Sequence, residues 1–283
     1  MMRKLIAFAA IISLLAVSCR TPRYVYSPSL PNVPYFEEKG ETKLSAYYAG
    51  TGKGDQGTGL HSGYDVQGAY AISDNWALTA GLFKRKERDT YWLFVQDSYN
   101  IFDSSVVNYK RNLVELGGGY FTPVNRGETI FFNVYSGVGF GKFSIDDKGF
   151  NAGAAYSRKH TNKILKWYIQ PGVNFMTSEY FRFSLVSRIS FVHYSRSATN
   201  YTTDELAYFR LNKINDGWLS FFEPTLNIQA GVPGCDWLRL EAGLTLSTDP
   251  EDNYLEARSF CPFIGLSFDL SKTRIKKAST TLQ

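Results

Sequence analysis

The stretch "ILKWYIQPGVNFM" (Ile164–Met176) alternates without a slip. Leu165, Trp167, Ile169, Pro171, Val173 and Phe175 fall on one face, and Lys166, Tyr168, Gln170 and Asn174 on the other. A period of two marks a β-strand with chemically different faces. "LSFFEPTLNIQAGV" (219–232) repeats the pattern, with Phe222, Pro224, Leu226, Ile228 and Ala230 opposite Glu223, Thr225, Asn227 and Gln229. Proline removes a ladder donor and is ordinarily kept off central strands. Pro171, Pro224 and, near the C-terminus, Pro262 all share the apolar phase, so each is expected to mark a bulge or a local break in pairing.

Working outward, the same period recurs in ten segments, near 41–50, 63–73, 76–84, 109–123, 129–144, 163–177, 180–196, 218–232, 237–248 and 259–270. Their connections alternate in length. "SDN", "NRGE", "SE" and "PGCD" are tight turns, whereas 51–62, 85–108, 145–162, 197–217 and 249–258 are long and rich in Gly, Asn, Asp and Tyr. An even number of strands, short turns at one end and long loops at the other, is the pattern of a transmembrane β-barrel. The expected fold is therefore all-β: an antiparallel transmembrane barrel of about ten strands, with short periplasmic turns and long extracellular loops.

A soluble sandwich would alternate in the same way. The charges argue against it, because Asp65, Glu115, Lys166, Arg182, Arg188, Glu223, Arg239 and Glu241 all oppose a nearly continuous aliphatic and aromatic face. In a membrane barrel they become a polar network inside a narrow lumen. Because both signs are mixed, the network is expected to pair into a plug rather than line a pore. Aromatic residues at strand ends suit two interfacial girdles: Trp76, Phe121, Tyr180, Phe181, Trp237 and Phe268 by the turns, and Phe140, Tyr194, Trp218 and Phe260 by the loops.

The net charge of +5 is mild and dispersed, which gives no nucleic-acid footprint. The chain's three cysteines and three histidines form no metal-binding spacing, so neither metal nor cofactor is expected. Cys235 in a turn and Cys261 near the opposite end of the last strand are expected to stay unbonded. Residues 1–18 read as a signal peptide: Arg3 and Lys4, then an apolar run ending "LLAVSC" at Cys19.

The ending "LLAVSC" resembles the lipobox of bacterial lipoproteins, which implies lipid attachment at Cys19. Residues 19–40, with four prolines from Arg20 onward, read as a lipidated periplasmic tether. Residues 41–271 read as the barrel and 272–283 as a basic periplasmic tail. "NVPYFEEKGE" (Asn32–Glu41) resembles the segment after the anchor in Bacteroidota-type outer-membrane β-barrel lipoproteins, a Gram-negative cell-envelope family mostly of unassigned function. "CRTPRY" lacks the acidic residues that direct such lipoproteins to the cell surface, so the resemblance implies an anchor in the periplasmic leaflet.

Three functional classes follow. The first is a structural or surface-interaction barrel, with outer-membrane lipids including lipopolysaccharide as partners and the long loops open to an extracellular protein or glycan. Aromatics in "DTYWLFVQDSYNIF" (Tyr91, Trp92, Phe94, Tyr99) and the cations Lys84, Arg85, Lys86, Arg88, Lys110 and Arg111 are its contact candidates. The second is an enzyme acting on lipid A. "HYSRSAT" (His193–Thr199) is similar to the His-aromatic-Ser-Asn-Ala signature of outer-membrane lipid A deacylases, which implies His193, Ser195 and an orienting Glu205, although Arg196 replaces the Asn. The Asp-x-His of omptin-type proteases is absent, since Gly59, Arg158 and Phe191 precede the histidines by two. The third is a narrow pore. The segment 202–214 carries a short loop helix capped by Thr203 in this reading.

Overall fold

The computed structural model describes residues 23–51, 61–94, 102–151, 154–249 and 255–270. The signal peptide, Cys19, Tyr99 and the basic tail lie outside the described residues. Ten strands close a barrel: β2 (Thr42–Gly50), β3 (His61–Ala71), β4 (Trp76–Phe94), β5 (Phe102–Pro123), β6 (Ile130–Asn151), β7 (Ala154–Met176), β8 (Phe181–Thr199), β9 (Trp218–Val232), β10 (Cys235–Leu246) and β12 (Phe260–Asp269). Each pairs antiparallel with its neighbours, and β12 closes the ring between β10 and β2. Two short strands, β1 (Tyr24–Tyr26) and β11 (Glu256–Ala257), pair in parallel apart from the wall.

Strands β4 to β7 run well past the bounds read from sequence, through 85–94, 102–108, 145–151 and 154–162. The reason is a change of chemistry at constant phase. On β5 the outward residues are Val114, Leu116 and Tyr120 in the lower half, then Asn112, Lys110 and Asn108 above. The inward series runs the other way, from Glu115 up to Arg111, Tyr109 and Val107. The lower barrel is thus apolar outside and charged inside, while the upper barrel is polar outside with an apolar core of Phe83, Tyr91, Val107, Tyr109, Phe143, Ile145, Val192 and Tyr194. A reading that keeps the apolar face outward takes the reversal for a loop. By the same inward phase Phe121 and Tyr194 face the lumen, at 3% and 1% exposure, and do not belong to outer girdles. Tyr91 is buried likewise, and no side-chain placement is described for Trp92 or Phe94.

All ten wall strands present large apolar side chains outward, including Tyr64 at 62% exposure, Ile264 at 61% and Leu82 and Phe140 at 57% each. A continuous belt of this kind far exceeds the patches that water-facing monomers tolerate. No helix among the described residues is long and apolar enough to cross a membrane.

Pro171 and Pro224 each interrupt one of their ladders without shifting register, whereas Pro262 keeps its place opposite Leu244 in a continuous β10–β12 ladder, against the expected break. Between Ile169↔Ile189 and Gly172↔Val186 the β7–β8 ladder skips Pro171, and between Thr225↔Thr245 and Phe222↔Thr248 the β9–β10 ladder skips Pro224. Ser187 pairs with Pro224 on β9, and the skipped step brings Pro171 to its other side. An apolar groove of about 560 Å³ on the outer wall follows, lined by both prolines, Leu185, Leu226 and Leu244.

Residues 23–41 do not lie outside the wall as a tether. Residues 23–36 are buried within it, descending from the long-loop end to the short-turn end, where Gly40 donates to the Ala71 carbonyl at 2.9 Å. Pro28, Pro31 and Pro34 recur every third residue, the repeat of an extended polyproline turn, which has no internal hydrogen bonds. The lumen side chains supply the missing partners, and that is why an inward polar face and a proline-rich leader occur in one chain.

Candidate functional site

Charged residues from many strands converge in the lumen. Ser29 Oγ donates to Glu115 Oε1 at 2.7 Å and accepts from Lys166 Nζ at 2.9 Å and Arg188 Nη1 at 3.1 Å. Lys166 Nζ lies 3.0 Å from Glu115 and 3.9 Å from Glu223, and Arg188 Nη1 lies 3.3 Å from Glu115. Ser190 and Tyr26 both donate to Glu223. Asp65 pairs with Arg85 and accepts from the Leu30 amide at 2.8 Å. Glu241 takes Lys43 at 2.7 Å, the Tyr47 hydroxyl at 2.7 Å and Asn227 Nδ2 at 3.0 Å. At the short-turn end Arg182 approaches Glu37 at 3.9 Å, and Arg239 reaches Asp269 at 3.2 Å.

The eight lumen residues named from sequence all point inward, at 7% exposure or less. What the sequence did not reveal is the segment they hold. Gln67 donates to the Leu30 carbonyl, Gln170 to that of Asn32, Lys43 to that of Val33 and Asn174 to that of Pro34. Asn32 donates to the Gly68 carbonyl, and Tyr35 shares a hydrogen bond with Ser184. The motif "NVPYFEEKGE" is therefore largely a set of lumen contacts. Its Glu41 closes the exit turn by accepting the Glu37 amide.

At the long-loop end a second charged cluster holds the strap. Arg111 pairs with Glu87 and donates to the Tyr24 and Val25 carbonyls. Arg258 bridges Glu87 at 3.5 Å and Asp89 at 2.6 Å, with its guanidinium 3.6 Å above the Tyr24 ring. Tyr26 stacks on Phe221 at 3.8 Å. Arg23 pairs with Asp147 at 2.7 Å and lies 3.8 Å over Phe209, which follows helix α1 (Thr203–Tyr208). Arg85 and Arg111, named from sequence among the contact candidates, thus belong to the interior. The helix cap is Thr202, not Thr203, in a reciprocal capping box with Glu205.

The "HYSRSAT" residues form no triad. His193 Nδ1 lies 3.1 Å from the Gly217 carbonyl, beside Trp218. Glu205 is taken up by Arg158 and by the Thr202 amide at 2.9 Å. Arg196 adopts a left-handed backbone (φ 53), and the β7–β8 register shifts by one residue between Lys163↔Ser195 and Thr161↔Ala198. The motif is a β-bulge that turns the strand at its outer end. Cys235 and Cys261 are both free thiols. Among the described residues no cluster suits a metal ion.

No family model matches the chain, and no curated protein matches it. Among solved structures the chain is similar to the translocator domain of the autotransporter NalP from Neisseria meningitidis, at 9% identity and TM-score 0.46, covering 82% of this chain and 89% of that one. It is similar to the attachment invasion locus protein Ail of Yersinia pestis, at 13% identity and TM-score 0.32, covering 81% and 98%. It is also similar to the outer membrane protease OmpT from Escherichia coli, at 9% identity and TM-score 0.38, covering 82% and 94%.

Proposed function

We propose that this protein is an outer-membrane β-barrel lipoprotein whose lumen is sealed by its own N-terminal strap, and that it serves a structural or surface-interaction role rather than a catalytic or conducting one. The observation that carries this is the coincidence of an apolar outer belt with a charged lumen whose groups are engaged with one another and with residues 23–36. Charges that pair with a bound segment offer no aligned path to ions. The long upper barrel and loops are left as the working surface. Full-length protein in cell envelopes is expected to resist carbonate extraction, to migrate heat-modifiably on gels, and to give no stable single-channel conductance in planar bilayers. Large, steady conductance sinks the sealed-lumen reading, and release by carbonate sinks the membrane reading.

The strap also bears on the lipid anchor. Arg23 is fixed at the long-loop end by Asp147, and Tyr24–Tyr26 by β11. Three residues separate Cys19 from Arg23, so the chain between them reaches about 14 Å. An acyl group on Cys19 therefore belongs on the long-loop side, opposite the periplasmic leaflet implied by "CRTPRY". Cys235, the first residue of β10 at the far end, is a built-in reference. A membrane-impermeant maleimide on intact cells is expected to label Thr21→Cys (in a Cys235→Ala chain) and to spare native Cys235 until the cells are permeabilised. Labelling of both positions from one side overturns the threading. Labelling of Cys235 alone from outside overturns the orientation.

A further inference from the structure

Above the apolar belt on β4 to β7, the outer wall carries cations in register, and the acid that shares this face among the described residues, Asp146, sits above them with Lys148 Nζ 3.9 Å from its carboxylate. Lys84 pairs across to Asn112, Asn112 to Lys142, and Lys142 to Lys163. One step higher, Lys86 stands directly opposite Lys110. All are exposed, and among the described residues none of the five lysines has an acidic partner within salt-bridge distance. Like charges directly opposite one another destabilise a sheet. Two such pairs, Lys86–Lys110 and Lys142–Lys163, sit on four neighbouring strands, where an acid in place of one lysine of each pair would have been stabilising.

Immediately beneath lies an apolar groove of about 410 Å³. Leu82, Val114 and Phe140 form its floor and Tyr64 and Val66 one side, while Lys84 and Lys142 stand at its upper edge. An apolar channel capped by unpaired ammonium groups matches an amphiphile with an anionic head and acyl tails. We propose that this face is a binding site for a phosphorylated glycolipid of the outer leaflet, with the lysines on its phosphates and an acyl chain in the groove. The proposal rests on the barrel lying in an outer membrane with its long loops outward. Lysine suits the role as a mobile donor of three hydrogen bonds to phosphate.

The test uses the full chain in detergent micelles and native mass spectrometry, with purified bis-phosphorylated lipid A as the probe. Wild-type protein is expected to hold at least one lipid A, with at least tenfold weaker binding of the dephosphorylated lipid and no competition from inorganic phosphate. Lys86→Gln/Lys110→Gln/Lys142→Gln/Lys163→Gln should weaken binding of the phosphorylated lipid at least tenfold, whereas Lys39→Gln/Arg126→Gln at the short-turn end should not. Val114→Trp, which fills the groove, should weaken both lipids. All these positions are exposed, and unchanged heat-modifiable migration confirms that the variants fold. Equal binding of both lipids, wild-type affinity in the quadruple variant, or displacement by free phosphate overturns the proposal. A chain that is fully released by carbonate fails the membrane reading instead, independently of lipid affinity.

Discussion

Arg23 Nη2 lies 2.7 Å from Asp147 Oδ2, with both side chains almost wholly buried. The pair joins the first described residue of the strap to the upper wall, and the Tyr201 hydroxyl and Ser105 also donate to Asp147. Removing one partner of a buried pair leaves the other uncompensated, at a cost of about 3–5 kcal/mol. Asp147→Ala should therefore lower the temperature of the heat-modifiable gel shift and expose the strap to protease. Arg23→Met, which removes the charge but keeps the bulk over Phe209, should be milder in a Asp147→Asn background than alone.

Glu115 is the acidic centre of the lower lumen, shared by Lys166, Arg188 and Ser29. Glu115→Ala leaves two buried cations facing one another and is expected to destabilise the barrel by about 3–5 kcal/mol. The urea midpoint for unfolding from micelles measures it. A midpoint within error of wild type would mean that water, not the strap network, compensates these charges.

Gly117 and Gly137 stand opposite each other on β5 and β6, and a Cβ at either would lie 2.6 Å from the Tyr168 hydroxyl. That contact is too short for the ring to stay where it is. Gly137→Ala should cost about 1–3 kcal/mol through overpacking, while Gly127→Ala in a turn, whose nearest atoms are 3.6 and 4.0 Å from an added Cβ, should be tolerated. The same urea titration compares the two.

His160 and the side chain of His61 are buried on the long-loop side of Lys163 and Lys84, beyond the apolar belt. Burial holds both imidazoles below their ordinary range, and for His61 the Arg258 guanidinium adds to it. The unfolded chain then binds protons more readily than the folded one. Stability is complete at neutral pH and is lost as pH falls below about 6.5, the ordinary histidine value, toward the lowered one. Urea midpoints should drop between pH 7.5 and pH 5.5, and His160→Gln should flatten part of that slope.

His193 faces a backbone carbonyl, and Glu205 is engaged elsewhere. Lipid A from cells with and without the protein is expected to show the same acylation by mass spectrometry, and His193→Ala to change nothing. A deacylated species that disappears in His193→Ala would restore the enzyme reading.

The sequence by itself determined the wall. A period of two, charges on one phase and apolar residues on the other, and turns alternating with loops are local properties, and they specify strand number, facing and the inward set from Asp65 to Glu241. It also marked the breaks at Pro171 and Pro224, because a missing amide is a covalent fact. Only the tertiary structure decided what fills the lumen. Nothing local in "RYVYSPSLPNVPYF" distinguishes a tether in water from a strap in a barrel, since an extended proline-rich backbone is indifferent until donors surround it. Those donors, Gln67, Gln170, Asn174 and Lys43, come from three strands, β3, β7 and β2, that only the closed barrel brings around the segment. The length of β4 to β7 was hidden for a related reason. Alternation persists while the solvent on each face changes, and which face is dry at a given height is a property of the closed barrel, not of any one strand.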